Sequence, residues 1–257
     1  LPECETIDSS DMNQWSFPVG TRFWKEFRRD GRRIETRLIE RIGSGPRDFA
    51  YASYMWNEDE TEAERVPESG RKDVKNTTHD IPSKSECLQC HGSYSFGGGL
   101  PSRGLGYSAW LLNHDGEGQR LDDLIAADRL SHPPTEDIAF PGDSLTQDAL
   151  GYLHINCGSC HNDSVDTLPQ FDFNLRVAVG LDSVEETGTW QTAVAVDTQI
   201  FKDQHVDQRI VPGSPDRSAI LYRMHQRGNT AQMPPVASEQ IDEEGIALIE
   251  EWIEALQ

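Results

Sequence analysis

One five-residue pattern occurs twice in this chain, as Cys87-Leu88-Gln89-Cys90-His91 and as Cys157-Gly158-Ser159-Cys160-His161. It constrains the fold more than any other feature. Two thiols at that spacing can each add to one vinyl group of a single porphyrin, and the histidine that follows is placed to ligate the iron. Cys-x-x-Cys-His is therefore the attachment signal of a c-type haem. A single copy is also compatible with a redox dithiol. Two copies, using four of the five cysteines, leave that alternative little room and predict two covalently attached haem c groups. Cys87, Cys90, Cys157 and Cys160 are the expected thioether residues, and His91 and His161 the expected proximal iron ligands. The copies lie 70 positions apart, which favours two domains, because each haem needs its own apolar wall.

Composition fits that picture. Only 36% of the 257 residues are hydrophobic, and 14 prolines and 21 glycines point to much irregular structure. A covalently held porphyrin supplies part of a core that side chains do not. No run of 18 apolar residues occurs, so no transmembrane helix is expected. The chain opens at Leu1-Pro2 without a methionine. Haem c is attached outside the bacterial cytoplasm, so a removed secretory signal and a periplasmic, secreted or cell-surface location are expected. Cys4 is the odd cysteine, with three readings: a free thiol, an intermolecular partner or the stump of a lipid anchor. Glu3 before it fits a lipoprotein cleavage site poorly.

Charge narrows the partners. The net charge is −21, and it is uneven: residues 1–100 hold 14 Lys+Arg against 18 Asp+Glu, and residues 101–257 hold 9 against 26. So acidic a chain argues against nucleic acid and anionic lipid, whose counterions are released by lysine and arginine. It suits a redox protein partner with a basic docking surface, or a salt-rich habitat.

Patterning divides the chain into four parts. Residues 1–15 read as an acidic lead-in. Residues 16–95 read as a β-rich haem domain: a turn at Phe17 to Thr21, a strand from Arg22 to Arg28, and the two-residue hairpin signal Asp30-Gly31. A return strand from Ile34 to Ile42 follows, with Ile34, Thr36, Leu38 and Ile42 on one face and Glu35, Arg37 and Arg41 on the other. An aromatic strand from Phe49 to Trp56 comes next. Residues 57–80 read as a charged excursion without period. Residues 96–143 form a bridge, punctuated by Gly97-Gly98-Gly99 and Pro101, with a short helix from Leu121 to Arg129. Residues 144–257 open with a helix capped by Asp143 or Ser144 that runs to the second motif. A short helix from Ser214 to about Arg227 and a final one from Ser238 to Leu256 follow. The last carries an apolar stripe of Ile241, Leu248, Ile249, Trp252, Ile253 and Leu256. The loop 171–206 is long enough for a small hairpin. The expected class is thus α+β: an N-terminal antiparallel sheet domain followed by an all-α domain.

Several blocks resemble known haem proteins. Phe17-Pro18-Val19-Gly20-Thr21 with Lys25, followed by Cys87 to His91, resembles the cytochrome c′-β family and its lysine-cross-linked relatives. That resemblance implies a sheet-built haem site with an open distal face, and it places Lys25 where a lysine bonds to the porphyrin. Otherwise Lys25 is a solvated strand lysine. The helix, haem motif and final aromatic helix of 144–257 resemble class I cytochrome c, which implies a methionine sixth ligand shortly before the last helix. Met233-Pro234-Pro235 fits, since a soft thioether favours ferrous iron and His–Met ligation raises the potential. Met224, inside the short helix, is the rival and reads as packing. Residues 16–257 as a whole resemble a family of largely uncharacterised bacterial dihaem c-type cytochromes. The shared blocks include Glu35 to Leu38, Trp56-Asn57-Glu58, Ile81-Pro82-Ser83, Ile210 to Asp216, Tyr222-Arg223-Met224 and Trp252-Ile253. The chain departs from that family at Asn113-His114 and in the loop 171–206.

No spacing selects a distal ligand for the first haem: none, Met55, His79, His114 and His132 all stay open. His154 and His205 read as surface residues. The expected role is electron transfer rather than catalysis, with the His161/Met233 haem as the electron port. The alternatives are a small-molecule redox enzyme of the peroxide or hydroxylamine type, or a gas sensor, at an open N-terminal haem.

Overall fold

The structure is a computed structural model that describes the chain except for residues 46–47, 92–104, 163–171, 200, 202–205, 237 and 257. The Gly97–Gly99 run, Pro101 and His205 therefore lie outside the described residues. Two compact units divide the chain, Leu1–Asp137 and Ile138–Gln257. The division falls within the stretch read from sequence as a bridge.

Unit 1 is built on an antiparallel sheet of strands β1 (Arg22–Arg29), β2 (Arg32–Arg41), β3 (Phe49–Trp56) and β4 (Ala63–Arg65), in that spatial order. Asp30 (φ 50°) and Gly31 (φ 76°) form the two-residue turn joining β1 to β2. Positive φ at both positions matches the right-handed twist of the flanking strands. β4 arises inside the expected excursion, because Asn57 Oδ1 accepts from the backbone N–H of Thr61 and Glu62 and reverses the chain.

The strand faces differ from the sequence reading. Phe27 pairs with Glu35 and Arg28 with Arg33, so Ile34 is an extra residue opposite β1. This bulge turns both Ile34 and Glu35 inward, at 3% and 0% exposure. Beyond it the register places Lys25, Arg37 and Ser53 on one face, with Phe23, Ile39 and Tyr51 beside them. Thr36, Leu38, Trp24 and Tyr54 share the other face, where Trp24 is 59% exposed. A small core of Ile34, Val66, Val74 and Ile81 closes one end, with Met55 against it. Helix α1 (Lys84–His91) follows, and the short helices α2 (Ala109–Leu112) and α3 (Leu121–Ala126) complete the unit. The lead-in is tied in as well: Ile7 is fully buried, donates from its N–H to Arg129 O and accepts from Ser131 N.

Unit 2 contains α4 (Ser144–Asn156), α5 (Gly188–Ala193), α6 (Ala219–Met224) and α7 (Glu243–Ala255). Asp143 caps α4 by accepting from Thr146 N at 2.9 Å, and Asp242 caps α7 by accepting from Gly245 N at 3.0 Å. α4 and α7 meet closely where Gly245 lies under Tyr152; a Cβ there would sit 2.2 Å from the ring. Leu153, Ile210, Leu221, Ile249, Trp252 and Ile253 form the buried core between the helices.

An all-α class I cytochrome c fold is not evident here, and that expectation is corrected. The two end helices exist, but the described chain between them is mostly turn and irregular loop, with the short helices α5 and α6 and isolated bridges. Val194 bridges to Ile210, Asp197 to Gln208, and Gln208 to Ser218. The β-branched and proline residues of this stretch suit bridged loops rather than helices. The described part of the loop 171–206 carries α5 and a 3-10 turn at Val184–Glu186, and its end pairs antiparallel with the stretch that follows, Asp197 with Gln208. Among the described residues, no helix is long and apolar enough to cross a membrane.

Candidate functional site

In unit 2 the second motif is the reversal that ends α4. Cys157 N and Gly158 N both donate to Leu153 O, and Cys160 N and His161 N both donate to Cys157 O. This tight double turn brings the chain back onto 174–177, where Leu175 N donates to His161 O at 2.8 Å. Asn162 locks it from behind, donating from Nδ2 to Gly158 O at 2.7 Å. Gly158 is required in this position: a Cβ would lie 2.6 Å from His154 O and 3.0 Å from Arg176 Cα.

Cys157, Cys160 and His161 open onto a cavity of about 750 Å³, and Met233 lines the same cavity. That volume lies in the range of about 300–1,000 Å³ typical of cofactor pockets. Phe173, Leu175, Ile220 and Ile246 give it apolar walls. The His161 ring lies 4.7 Å from that of Phe173. Burial pushes the free imidazole down to about 4, helped by the charges of Arg223 and Arg209, so it is a neutral nitrogen donor at pH 7. Burial, with the neighbouring Cys160, pushes the free Cys157 thiol up to about 12.

Met233 sits in the loop between α6 and α7, with a cis bond to Pro234. Its N–H donates to Arg223 O at 3.1 Å and its carbonyl accepts from Arg227 Nη1 at 3.4 Å. Met224 also lines the cavity but is 6% exposed and belongs to the helical core. The residues present therefore fit a covalently held porphyrin: two thiols and an imidazole at one side, a thioether on a braced loop, and apolar walls. Sequence reasoning missed Arg209, Arg223 and Arg227, which also line the cavity. No spacing marks them.

His154 is not a plain surface residue. Its Nδ1 accepts from Val177 N at 3.0 Å, its ring lies 5.9 Å from Phe140, and burial lowers its basicity to about 4.

In unit 1 the first motif lies on α1, where positions i, i+3 and i+4 share one face, so Cys87, Cys90 and His91 point the same way. The His91 ring is 5.6 Å from that of Tyr51, on the sheet face that carries Arg37 and Lys25. Burial raises the Cys87 thiol above its ordinary value. Lys25 is lowered by burial and by Arg37, and its Nζ lies 5.0 Å over the Phe27 ring. Its side chain is exposed on β1, so the solvated strand lysine and the cross-linking lysine both stay open.

Glu35 anchors this face. It accepts from Arg37 Nε at 2.7 Å and Nη2 at 2.8 Å, and shares a 3.0 Å hydrogen bond with His79 Nε2. Burial alone would raise its carboxyl, but His79 and Arg37 outweigh this and hold it below the usual value. The other distal candidates are also engaged. Met55 packs on the small core, with Arg71 Nη1 3.9 Å from its sulfur. His114 Nδ1 accepts from Gly116 N at 3.0 Å, and His132 Nδ1 lies 2.9 Å from Ser131 Oγ. Among the described residues, no group of three or more His, Cys, Asp or Glu side chains forms a metal site of protein ligands alone. Cys4 is exposed, with a free thiol.

Compared with known proteins, the chain matches no family model, no curated sequence and no solved structure.

Proposed function

We propose that this chain is a dihaem c-type cytochrome that transfers electrons in the periplasm or at the bacterial cell surface, with the unit-2 haem as its electron port. The convergence of Cys157, Cys160, His161 and Met233 on one cavity of about 750 Å³ carries the reading. These residues are up to 76 positions apart in sequence. When bound, a His–Met haem supplies a one-electron couple of raised potential. The chain's own contribution is to hold the sulfur on a braced loop, keep the imidazole neutral and exclude water with Phe173, Leu175, Ile220 and Ile246. The acidic surface suits a partner with a basic docking face.

The test is a count of covalent haem on the purified full chain. Two haem c per chain should survive acidic extraction, and Cys157→Ala/Cys160→Ala and Cys87→Ala/Cys90→Ala should each remove one. A chain from which all haem extracts would overturn the proposal.

A second reading applies to the first haem, which would bind a small ligand such as a gas, peroxide or hydroxylamine. It is supported by the engagement of Met55, His79, His114 and His132 with protein partners. Carbon monoxide added to the reduced protein should shift the spectrum of one haem only. An unchanged spectrum returns both haems to plain electron transfer.

A further inference from the structure

Unit 2 is acidic, yet its cavity is not. Residues 138–257 contain 19 Asp+Glu and six Lys+Arg. Three of the six, Arg209, Arg223 and Arg227, line the cavity, against one acid, Asp242. The Asp242 carboxylate is already committed, accepting from Gly245 N and from Tyr152 OH. The arginines are not equivalent. Arg227 spends its guanidinium on the carbonyls of Met224, Gln226, Met233 and Gln240, which is a bracing role.

Arg209 and Arg223 keep donors in reserve. Arg209 is 7% exposed. Its Nη1 meets the main-chain carbonyls of Asp172 and Thr192, and no carboxylate pairs with it among the described residues. The charge of Asp172 reaches it without an ion pair. Arg223 donates from Nε to Ala231 O at 2.9 Å, and its Nη2 reaches Thr230 O only at 3.5 Å. A guanidinium carries five N–H donors, so each keeps several that no described residue uses. Each also lies over an aromatic ring, Arg209 over Phe173 at 4.9 Å and Arg223 over Phe201 at 5.0 Å. A buried cation without a counter-charge is costly, and a cavity that sets the half-buried Arg223 beside the buried Arg209 calls for an anionic occupant.

We infer that Arg209 and Arg223 form a carboxylate-binding pair that holds the propionates of the unit-2 haem and fixes its orientation in the cavity. The inference rests on the haem reading above and gives that site its charged end. Their fork geometry suits bidentate pairing with carboxylate. Pairing places positive charge beside the porphyrin edge, which favours the ferrous state. Arg209 and Arg223 are thus positioning residues that also raise the potential.

The experiment is a spectroelectrochemical titration of the full-length holoprotein, followed at the methionine-sulfur-to-ferric-iron charge-transfer band, which reports the Met233-ligated haem alone. Arg209→Gln and Arg223→Gln should each shift the ferric/ferrous equilibrium towards ferric by roughly tenfold, a drop of about 59 mV for a one-electron couple. Arg209→Lys and Arg223→Lys keep the charge and should recover most of that drop, which a purely structural role would not do. If a glutamine variant does not accumulate, the infrared redox-difference spectrum of the wild-type protein decides. Guanidinium modes that change with the haem's redox state support the pairing, and their absence overturns it. An intact charge-transfer band with an unmoved potential in the glutamine variants overturns the inference alone. A potential that follows added phosphate at constant ionic strength assigns the arginines to a free anion and also overturns it. Absence of the band from the wild-type protein instead removes the haem reading on which the inference rests.

Discussion

Replacing Glu35 by glutamine isolates the charge of the cluster under the first haem motif. The side chain is fully buried and satisfies both Arg37, through two short hydrogen bonds, and His79. Glutamine keeps the shape but removes the counter-charge and turns an amide donor towards groups that are themselves donors. Breaking a buried pair from one side costs about 3–5 kcal/mol. Arg37 and His79 keep 22% and 15% of their side-chain surface in contact with solvent, and Arg37 retains its stacking over Phe27 at 4.0 Å. Both facts place the cost near the lower end, about 3 kcal/mol. Native-state hydrogen exchange at the β2 and β3 amides reads this locally, and about 3 kcal/mol is roughly a hundredfold loss of protection. The pH dependence has a definite sign. The folded-state carboxyl is depressed, so its stabilisation is present above the unfolded carboxyl value of about 4.3 and fades as the pH falls through the folded one. The gap between wild type and Glu35→Gln should therefore be widest at neutral pH and close on acidification. A loss of protection under about fivefold at pH 7, or a gap that widens in acid, would refute the reasoning.

Other expectations concern unit 2. Trp252→Ala should destabilise it by about 3–5 kcal/mol, measured by urea unfolding, because a large side chain at 1% exposure leaves a cavity. Trp252→Phe should cost much less, since the indole N–H has no hydrogen-bond partner among the described residues. Gly245→Ala should cost about 1–3 kcal/mol in the same assay, because its methyl group would drive Tyr152 off α7. Asp242→Ala should lose about 1 kcal/mol with the α7 cap. It should also let Tyr152 ionise at a lower pH in an ultraviolet titration, since burial and then the Asp242 charge hold that phenol above its ordinary value.

Local signals carried far in the sequence, and long-range ones did not. The Asp30-Gly31 turn, the aromatic run Phe49–Trp56 and the cap at Asp143 are short-range rules, and each corresponds to an element of the fold. Alternation along β2 misled because one inserted residue at Ile34 shifts the inward set by one position. It thereby buries Glu35 and half-buries Arg37, which a polar-out reading exposes. The all-α expectation for residues 144–257 extrapolated from two end helices across a stretch whose bridges, Val194 to Ile210 and Gln208 to Ser218, depend on tertiary pairing. At the candidate site, spacing singles out the motif residues, and the resemblance to class I cytochrome c singles out Met233. Arg209 and Arg223 were not. An arginine acquires its meaning only when folding sets it at a cavity wall with no ion-pair partner among the described residues.

The central claim, a haem in unit 2 ligated by His161 and Met233, is tested most directly by near-infrared magnetic circular dichroism of the ferric full-length protein, which distinguishes axial ligand pairs. The account predicts one histidine–methionine signature per chain, abolished in Met233→Ala while the covalent haem count stays at two. A wild-type spectrum without that signature, or one that survives in Met233→Ala, would contradict it.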